Sequence, residues 1–331
     1  MTLQRIFVVG EALVDVVPPA AGRSARTLPG GSPANVAVGL SRLGVPATLA
    51  TSLGADEHGR LVSAHLAATG VTVRNCATGD PPTSVARVSF DAAGEPGYDF
   101  ALSWEIGPVA LPADAIAVHT GSLAAAMAPG RVEVDAVMAR AGAAGVTISY
   151  DPNIRPALMA DRAGERARVE HQVALADLVR ASVADLAWLY PDSDPIAVGT
   201  RWLAGRPALV VVTRGELGCV ALTAAGMVTV PARPVRVIDP VGAGDAFTAA
   251  LLAGLFGAGR LGAGWPKDGW REGSWRAGGW TAGGVALAEL TGILSAAATA
   301  AALTCARPGA DPPTAAELNR ALAAPGSGGS R

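Results

Sequence analysis

Hydrophobic and polar positions alternate between two periodicities along the chain, which predicts an alternation of strands and helices. The apolar run Ile6–Val9, followed by Gly10, indicates a buried strand that ends in a turn. Ser32–Leu43 has apolar residues at helical spacing, a proline near its start and Gly44 after its end, as is typical of a helix. Further segments are predicted as strands Ala47–Thr51, Ala115–Thr120, Val146–Tyr150 and Ala208–Thr213, and as helices Gly59–Thr69, Arg131–Ala144, Glu165–Val179 and Asp245–Phe256. This order predicts an α/β fold with a mostly parallel central sheet and helices on both faces.

Four stretches depart from that alternation. Leu13–Leu28 and Thr83–Trp104 look extended, the second with a turn at Asp91–Gly97, and they predict a small antiparallel sheet that stands off the main sheet as a lid. Residues 257–284 are rich in glycine and tryptophan without periodicity, which indicates a flexible loop. Residues 323–331 are expected to form a disordered tail.

Composition and charge narrow the classes of function. Half of the 331 residues are apolar and 16% are charged, enough for a large core, so we expect residues 1–322 to form one domain. Val285–Ala306 could span a membrane by length, but it is rich in alanine and contains Glu289, which favours a buried helix. The net charge of −2 comes without a basic block, which disfavours binding to nucleic acid or to an anionic membrane surface. Scattered cysteines and an N-terminus without a signal-peptide pattern predict a cytoplasmic protein.

The first candidate site is a glycine-rich loop late in the chain. Residues 239–252 read Asp-Pro-Val-Gly-Ala-Gly-Asp followed by an apolar helix. Small side chains let backbone N–H groups approach a ligand, and a helix N-terminus favours an anion, so Gly242, Ala243 and Gly244 could hold a phosphoryl group. Asp245, in the first helical turn, could accept a proton from an attacking hydroxyl. A simple glycine-rich helix start is the alternative that this segment leaves open.

The sequence excludes two other glycine-rich motifs that bind nucleotide phosphates. A dinucleotide fingerprint needs a third glycine where this chain has Phe247, and it belongs at the start of a βαβ unit. A Walker-type phosphate loop needs a lysine, and the only lysine, Lys267, lies in the glycine- and tryptophan-rich stretch.

A second candidate site lies near the N-terminus. Gly30 and Gly31 form a diglycine turn that leads into a helix with Asn35 in its first turn. Exposed backbone and a side-chain amide suit a ligand with many hydroxyl groups. Asp15 follows the first strand, at the end of the sheet where α/β proteins bind ligands.

With both motifs present in this order, the chain resembles the ribokinase-like (PfkB) carbohydrate kinases over roughly residues 6–313. The resemblance implies a ribokinase-like three-layer fold with a small β lid, and transfer of the γ-phosphoryl of ATP to a primary hydroxyl of a sugar. It implies that Asp245 is the base, that Gly242, Ala243 and Gly244 stabilise the transferred group, and that Asp15, Gly30, Gly31 and Asn35 hold the sugar. A homodimer formed through the lid is also expected.

The resemblance also implies sites for the nucleotide and for cations. Mg²⁺ would arrive bound to ATP, and K⁺ could bind at Asp239 and the Val241 carbonyl. Thr213 and Gly215 would border the ATP phosphates and ribose, and Gly309 would border the adenine and cation sites. Ser182 and Asp185 stand where many relatives carry an Asn-x-x-Glu motif tied to Mg²⁺, and so depart from that motif.

The sequence leaves more than one substrate open. Several motifs, among them Asp-Pro-Asn-Ile-Arg at residues 151–155, look most like those of bacterial fructokinases, but the same motif occurs in 2-keto-3-deoxygluconate kinases. Arg155 could contact a substrate anion or form a structural ion pair. A sugar-binding sensor without catalysis is the third hypothesis, and the intact Asp245 and glycines argue against it.

Overall fold

The computed structural model describes residues 4–17, 26–90, 96–265 and 284–324. The predicted loop over residues 266–283, the tail from residue 325 and the lid connections at 18–25 and 91–95 lie outside these residues. The described strands are β1 (Arg5–Val9), β2 (Leu13–Val17), β3 (Arg26–Gly30), β4 (Ala47–Thr51), β5 (Thr72–Asn75), β6 (Val85–Phe90), β7 (Pro96–Ala101), β8 (Ala115–Gly121), β9 (Thr147–Asp151), β10 (Leu178–Ser182), β11 (Leu209–Thr213), β12 (Cys219–Thr223) and β13 (Gly226–Val230).

Helices connect most of these strands. They are α1 (Ser32–Arg42), α2 (Glu57–Ala68), α3 (Ser122–Ala126), α4 (Gly130–Ala143), α5 (Arg162–Val173), α6 (Val183–Leu189), α7 (Pro195–Leu203), α8 (Ala243–Gly257), α9 (Gly284–Cys305) and α10 (Ala315–Ala323). Three short 3₁₀ turns, Pro156–Leu158, Gly215–Leu217 and Gly262–Gly264, complete the described elements.

The central sheet has the strand order β13-β12-β11-β10-β9-β8-β1-β4-β5 among the described residues. Its strands pair in parallel from β5 to β11, while β12 and β13 pair antiparallel at one edge. One apolar cluster contains residues of α1, α2, α8 and α9, and a second contains residues of α4, α5, α6 and α7. The predicted mostly parallel sheet with helices on both faces is confirmed.

The lid is a separate sheet with the order β3-β2-β6-β7. β2–β3 and β6–β7 are antiparallel, but β2 and β6 pair in parallel, so the prediction of an antiparallel lid is wrong for its central pair. A chain that leaves the lid after β3, builds α1 and α2 and then returns can add its next strand in parallel, because the connection is long. Leu13 and Ala86 of the lid form a small apolar cluster with Leu123, directly after β8, which seats the lid beside the carboxyl edge of the main sheet.

Three predicted boundaries are wrong. The helix expected over Glu165–Val179 ends at Val173, and its last two residues belong to β10. Apolar residues continue across the short connection, so the hydrophobic pattern does not show where the helix ends and the strand begins. The loop expected to start at 257 is ordered to Trp265, which is buried, and the Gly262 N–H donates to Thr147 Oγ1 at 2.8 Å. Ala323, expected to start the tail, is instead the last residue of α10.

The C-terminal helices pack closely on each other. α9, which by length and composition could cross a membrane over Leu287–Cys305, buries Leu290 and Leu294 in the same apolar cluster as α8. Gly254 of α8 lies against Ile293 of α9, where an added Cβ would come within 2.7 Å of the isoleucine. This contact explains a glycine in the middle of an otherwise apolar helix.

Gly39 sets how closely α1 approaches α8. A Cβ at Gly39 would lie 2.6 Å from the Ala249 Cβ, a separation that requires one helix to move. We therefore expect Gly39→Ala to lower the free energy of unfolding by about 1–3 kcal/mol. Gly292 is the matched control, because it is exposed in the middle of α9 with nothing within 4 Å of an added Cβ. Gly292→Ala should stabilise by roughly 0.5–1 kcal/mol. Urea denaturation of both variants measures the two effects, and equal effects of one sign would contradict the packing argument.

Candidate active site

Asp245 is a buried carboxylate at the start of α8. It is 7% exposed, and α8 is the helix that follows the predicted glycine loop. Its Oδ1 accepts a hydrogen bond from Ser32 Oγ at 2.7 Å, and its Oδ2 accepts one from Asn35 Nδ2 at 2.8 Å. The structure thus brings together the two motifs, which lie 210 residues apart in sequence.

The pKa of Asp245 is raised by burial, while the hydrogen bonds from Asn35 and Ser32 and the positive charges of Arg155 and Arg180 pull it down. Burial has the larger effect because it removes the water that stabilises the ionised form. A carboxylate with a raised pKa has a higher affinity for a proton, which suits a group that accepts one from a hydroxyl.

A chain of polar side chains extends from Asp245 across the site. Ser32 Oγ accepts from Asn153 Nδ2 at 2.8 Å, and Asn153 Oδ1 in turn accepts from Arg155 Nη1 at 2.5 Å. Arg155 Nη1 also lies 3.0 Å from the Asn153 carbonyl oxygen. Arg155 is therefore partly engaged in holding its own loop, and its guanidinium remains near Asp15 and Asp245.

The loop before α8 presents backbone N–H groups. Gly242 has φ +75°, the left-handed conformation that favours glycine, and no side chain caps the helix. The first N–H groups of a helix have no intrahelical carbonyl partner, so Gly244 and Asp245 offer donors at this end. Gly242, Ala243 and Gly244 are all partly exposed. This arrangement can bind an anion next to the Asp245 carboxylate.

Asp15 lies on β2 of the lid, against the diglycine turn. A Cβ at Gly30 would be 2.2 Å from Asp15 Oδ2, and a Cβ at Gly31, which has φ +102°, would be 2.6 Å from the Glu11 carbonyl oxygen. Only glycine fits at both positions. Burial raises the pKa of Asp15 to about 6, while Arg155 lowers it and Asp245 raises it further.

Glu11, between β1 and β2, is a further buried carboxyl. Its Oε2 accepts from the Ala124 N–H at 2.9 Å, and burial raises its pKa to about 7. Sequence reasoning did not single it out, although it follows the first strand directly, as a ligand-binding carboxylate would.

Asp239 connects the loop before α8 to the loop that contains Gly309. Its Oδ1 accepts from the Val241 N–H at 3.0 Å, and its Oδ2 accepts from the Gly309 N–H at 2.8 Å. Gly309 has φ +72°, with nothing within 4 Å of an added Cβ. The predicted cation residues and Gly309 are therefore neighbours.

The other expected nucleotide residues lie at strand ends. Thr213 ends β11, and its Oγ1 accepts from Arg180 Nη2 at 2.6 Å, while Gly215 has φ +56° with open space beside it. Ser182 and Asp185 form a capping box at the start of α6. Asp185 Oδ1 also accepts a hydrogen bond from the Ile154 N–H at 2.8 Å, and its Oδ2 accepts from the N–H and the hydroxyl of Ser182. Both carboxylate oxygens are therefore engaged.

Sequence reasoning missed four side chains that contact these residues. Ser32 and Asn153 stood inside the quoted motifs but had no role assigned. Asp151 and Arg180 form a buried ion pair, Oδ2 to Nη1 at 2.9 Å, beneath α8. A charged residue inside the apolar strand Leu178-Val-Arg-Ala-Ser182 was the signal that could have identified Arg180.

Comparison with known proteins points to one family. A family model described as pfkB family carbohydrate kinase matches residues 3–263. The fructokinase of Klebsiella pneumoniae is 37% identical over 260 residues, which cover 76% of this chain and 84% of that protein. Among solved structures, a fructokinase of Xylella fastidiosa with bound ATP superimposes with a TM-score of 0.80 at 26% identity, covering 97% of this chain and 98% of that one.

A fructokinase double mutant of Vibrio cholerae O395, with fructose, ADP and a potassium ion bound, superimposes with a TM-score of 0.76 at 27% identity, covering 97% and 98% of the two chains. The extent of the family match and the identity to a relative of similar length establish the family. The chain belongs to the pfkB family of carbohydrate kinases and is a sugar kinase.

Proposed function

We propose that this kinase transfers the γ-phosphoryl group of ATP to a primary hydroxyl of D-fructose and forms fructose 6-phosphate. The observation that carries the proposal is the buried Asp245 carboxylate beside uncapped helix N–H groups, where a hydroxyl can lose its proton as the phosphoryl group arrives. The similarity to proteins named fructokinase supports fructose as the acceptor.

Asp245 acts as the general base in this proposal. Ser32 and Asn35 fix the orientation of its carboxylate, so a sugar hydroxyl within hydrogen-bond distance could pass it a proton without a large rearrangement. Asn35 donates its amide to Asp245, which leaves its carbonyl oxygen to accept from a sugar hydroxyl. Gly242, Ala243 and Gly244 would stabilise the charge on the transferred phosphoryl oxygens.

The sugar would lie between the lid and α1. Asp15 accepts hydroxyl hydrogen bonds in this arrangement, and Gly30 and Gly31 keep the backbone close to the ring. Arg155 places a positive charge near Asp15, which is the one observation that favours an acidic sugar such as 2-keto-3-deoxygluconate as a second candidate.

ATP would bind beside Thr213, Gly215 and Gly309, across Asp245 from the sugar. Mg²⁺ would arrive bound to the ATP phosphates. Ser182 and Asp185 would support this side by fixing the Ile154 backbone rather than by ligating Mg²⁺ directly.

A K⁺ ion could bind next to Asp239 and the Val241 carbonyl. Asp239 already joins the loop before α8 to Gly309, so a cation there would neutralise its charge and stiffen both loops. We further propose a single domain over residues 1–322, a cytoplasmic location and a homodimer formed through the lid.

A coupled assay of ADP release with a small sugar panel tests the substrate. We expect D-fructose to give the highest kcat/KM, with 2-keto-3-deoxygluconate and D-ribose well below it. A preference for 2-keto-3-deoxygluconate would assign Arg155 to a substrate carboxylate. Sugar binding by calorimetry without any ADP release would instead identify a sensor and refute the kinase proposal.

Asp245→Asn tests the base. The amide keeps the size of the side chain but cannot take a proton, so kcat should fall roughly 10²–10⁴-fold while fructose binding persists. Circular dichroism and fructose calorimetry confirm that the variant is folded and binds sugar. A folded Asp245→Asn protein with near-normal kcat would exclude Asp245 as the base.

Asp15→Ala tests sugar recognition. Loss of a hydrogen bond to a charged group costs roughly 1.5–3 kcal/mol, so the KM for fructose should rise on the order of 10–100-fold with little change in the KM for ATP. Because the pKa of Asp15 is about 6, the wild-type KM for fructose should also rise as pH falls below that value. Exposed Asp192 is the control, and Asp192→Ala should change neither constant. Equal rises in both KM values for Asp15→Ala would make Asp15 structural.

A further inference from the structure

Arg180 joins the ends of two strands directly beneath α8. It projects from β10, and its Nη1 lies 2.9 Å from Asp151 Oδ2 at the end of β9, while its Nη2 lies 2.6 Å from Thr213 Oγ1 at the end of β11. The side chain is only 9% exposed, and its Nε has no hydrogen-bond partner among the described residues. A buried, incompletely paired guanidinium at a ligand-binding edge calls for a functional explanation.

The guanidinium is in contact with the glycine loop. A Cβ at Gly244 would lie 3.0 Å from both Nη1 and Nη2 of Arg180, so no other atom separates the guanidinium from the first turn of α8. Thr248, one turn further along α8, has its Oγ1 3.4 Å from the same Asp151 oxygen that Arg180 binds. The Arg180–Asp151 pair thus supports the helix that carries Asp245.

Buried carboxylates outnumber the cations around this point. Asp151, Asp185 and Asp245 are each at most 7% exposed, and all three interact electrostatically with Arg180. Asp15 faces Asp245 from the lid and Arg155 faces it from the loop after β9. Arg180 is therefore the cation that three buried carboxylates share.

We propose that Arg180 is a positioning residue for phosphoryl transfer, which holds the glycine loop and α8 against the sheet and places a positive charge beside the Asp245 carboxylate. The inference rests on the proposed function, because it takes Asp245 as the base. Arg180 does not touch the sugar in this arrangement, and it acts through Asp245 and the Gly242–Gly244 backbone.

The sign of the electrostatic effect follows from the charges. A nearby cation stabilises an ionised carboxylate, so Arg180 lowers the pKa of Asp245, and its removal would let burial raise that pKa further. Asp245 must be ionised to accept a proton. The acid limb of the kcat–pH profile, which reports the base in the enzyme–substrate complex, should therefore move to higher pH when the charge is removed.

The test is the kcat–pH profile with saturating fructose and MgATP for Arg180→Gln and Arg180→Lys. For Arg180→Gln we expect the acid limb to rise by on the order of one pH unit, with kcat falling more than the KM for fructose changes. Arg180→Lys keeps the charge but cannot bridge Asp151 and Thr213, so its acid limb should stay near that of the wild type while kcat falls.

Asp151→Asn gives an independent result of opposite sign. The amide keeps an oxygen for Arg180 but removes a negative charge near Asp245, so the acid limb should move to lower pH. This variant retains Arg180, and it decides the question if Arg180→Gln fails to fold.

Arg168 is the matched control for a purely structural role. It is also a buried arginine paired with a carboxylate, Glu165, with Nε to Oε2 at 2.9 Å, but it belongs to α5 and binds the Ala125 carbonyl. Arg168→Gln should lower Tm without moving the acid limb.

The outcomes separate this inference from the proposed function. An active wild type that Asp245→Asn inactivates, together with acid limbs unmoved in both Arg180→Gln and Asp151→Asn, would overturn the role of Arg180 alone. An equal upward shift in Arg168→Gln would also overturn it, because the shift would then follow loss of stability. An inactive wild type would instead contradict the proposed function.

Discussion

The site depends on keeping an ionisable carboxylate, Asp245, in a place that solvent hardly reaches. Burial raises the pKa of this carboxyl, and hydrogen bonds from Asn35 and Ser32 and the charges of Arg155 and Arg180 oppose that rise. These groups come from three segments of the chain, since Ser32 and Asn35 lie on α1, Arg155 in the loop after β9 and Arg180 on β10. The base is therefore competent only when α1, the loop after β9, β10 and α8 are all in place, which links catalytic competence to the complete fold.

Close approach of backbone is the second constraint, and glycine satisfies it. Gly39 lets α1 lie against α8 so that Asn35 reaches Asp245, Gly30 leaves room for the Asp15 carboxylate, and Gly244 leaves room for the Arg180 guanidinium. These glycines lie on three different elements, and each allows a close approach that helps to form the site. A methyl group at Gly30 or Gly244 would displace a charged side chain, and one at Gly39 would push α1 away from α8, so the same glycines set both the packing and the position of the charged groups.

Much of this fold could be predicted because its signals are local. Apolar runs bounded by glycine located β1, β4, α1 and α8 to within a residue or two, and two short motifs located Asp245 and Asn35. What could not be predicted depends on long-range pairing. The parallel β2–β6 pair follows from how the chain returns to the lid, and no periodicity distinguishes it from a hairpin. The Ser32–Asp245 bond spans 213 residues, and Trp265 is buried although its sequence reads as loop.

The geometry of the site also explains why its positively charged residues are arginines. Arg180 must contact Asp151 on one neighbouring strand and Thr213 on the other, and a planar guanidinium with several fixed donors can do both at once. A lysine has a single side-chain nitrogen, which could bind closely to only one of these two residues. Arg155 uses Nη1 to bind the Asn153 side chain and backbone, which leaves its other guanidinium nitrogens to carry charge near Asp15 and Asp245. A site with buried carboxylates at the ends of several strands therefore favours arginine, because one guanidinium can interact with several of them at the same time.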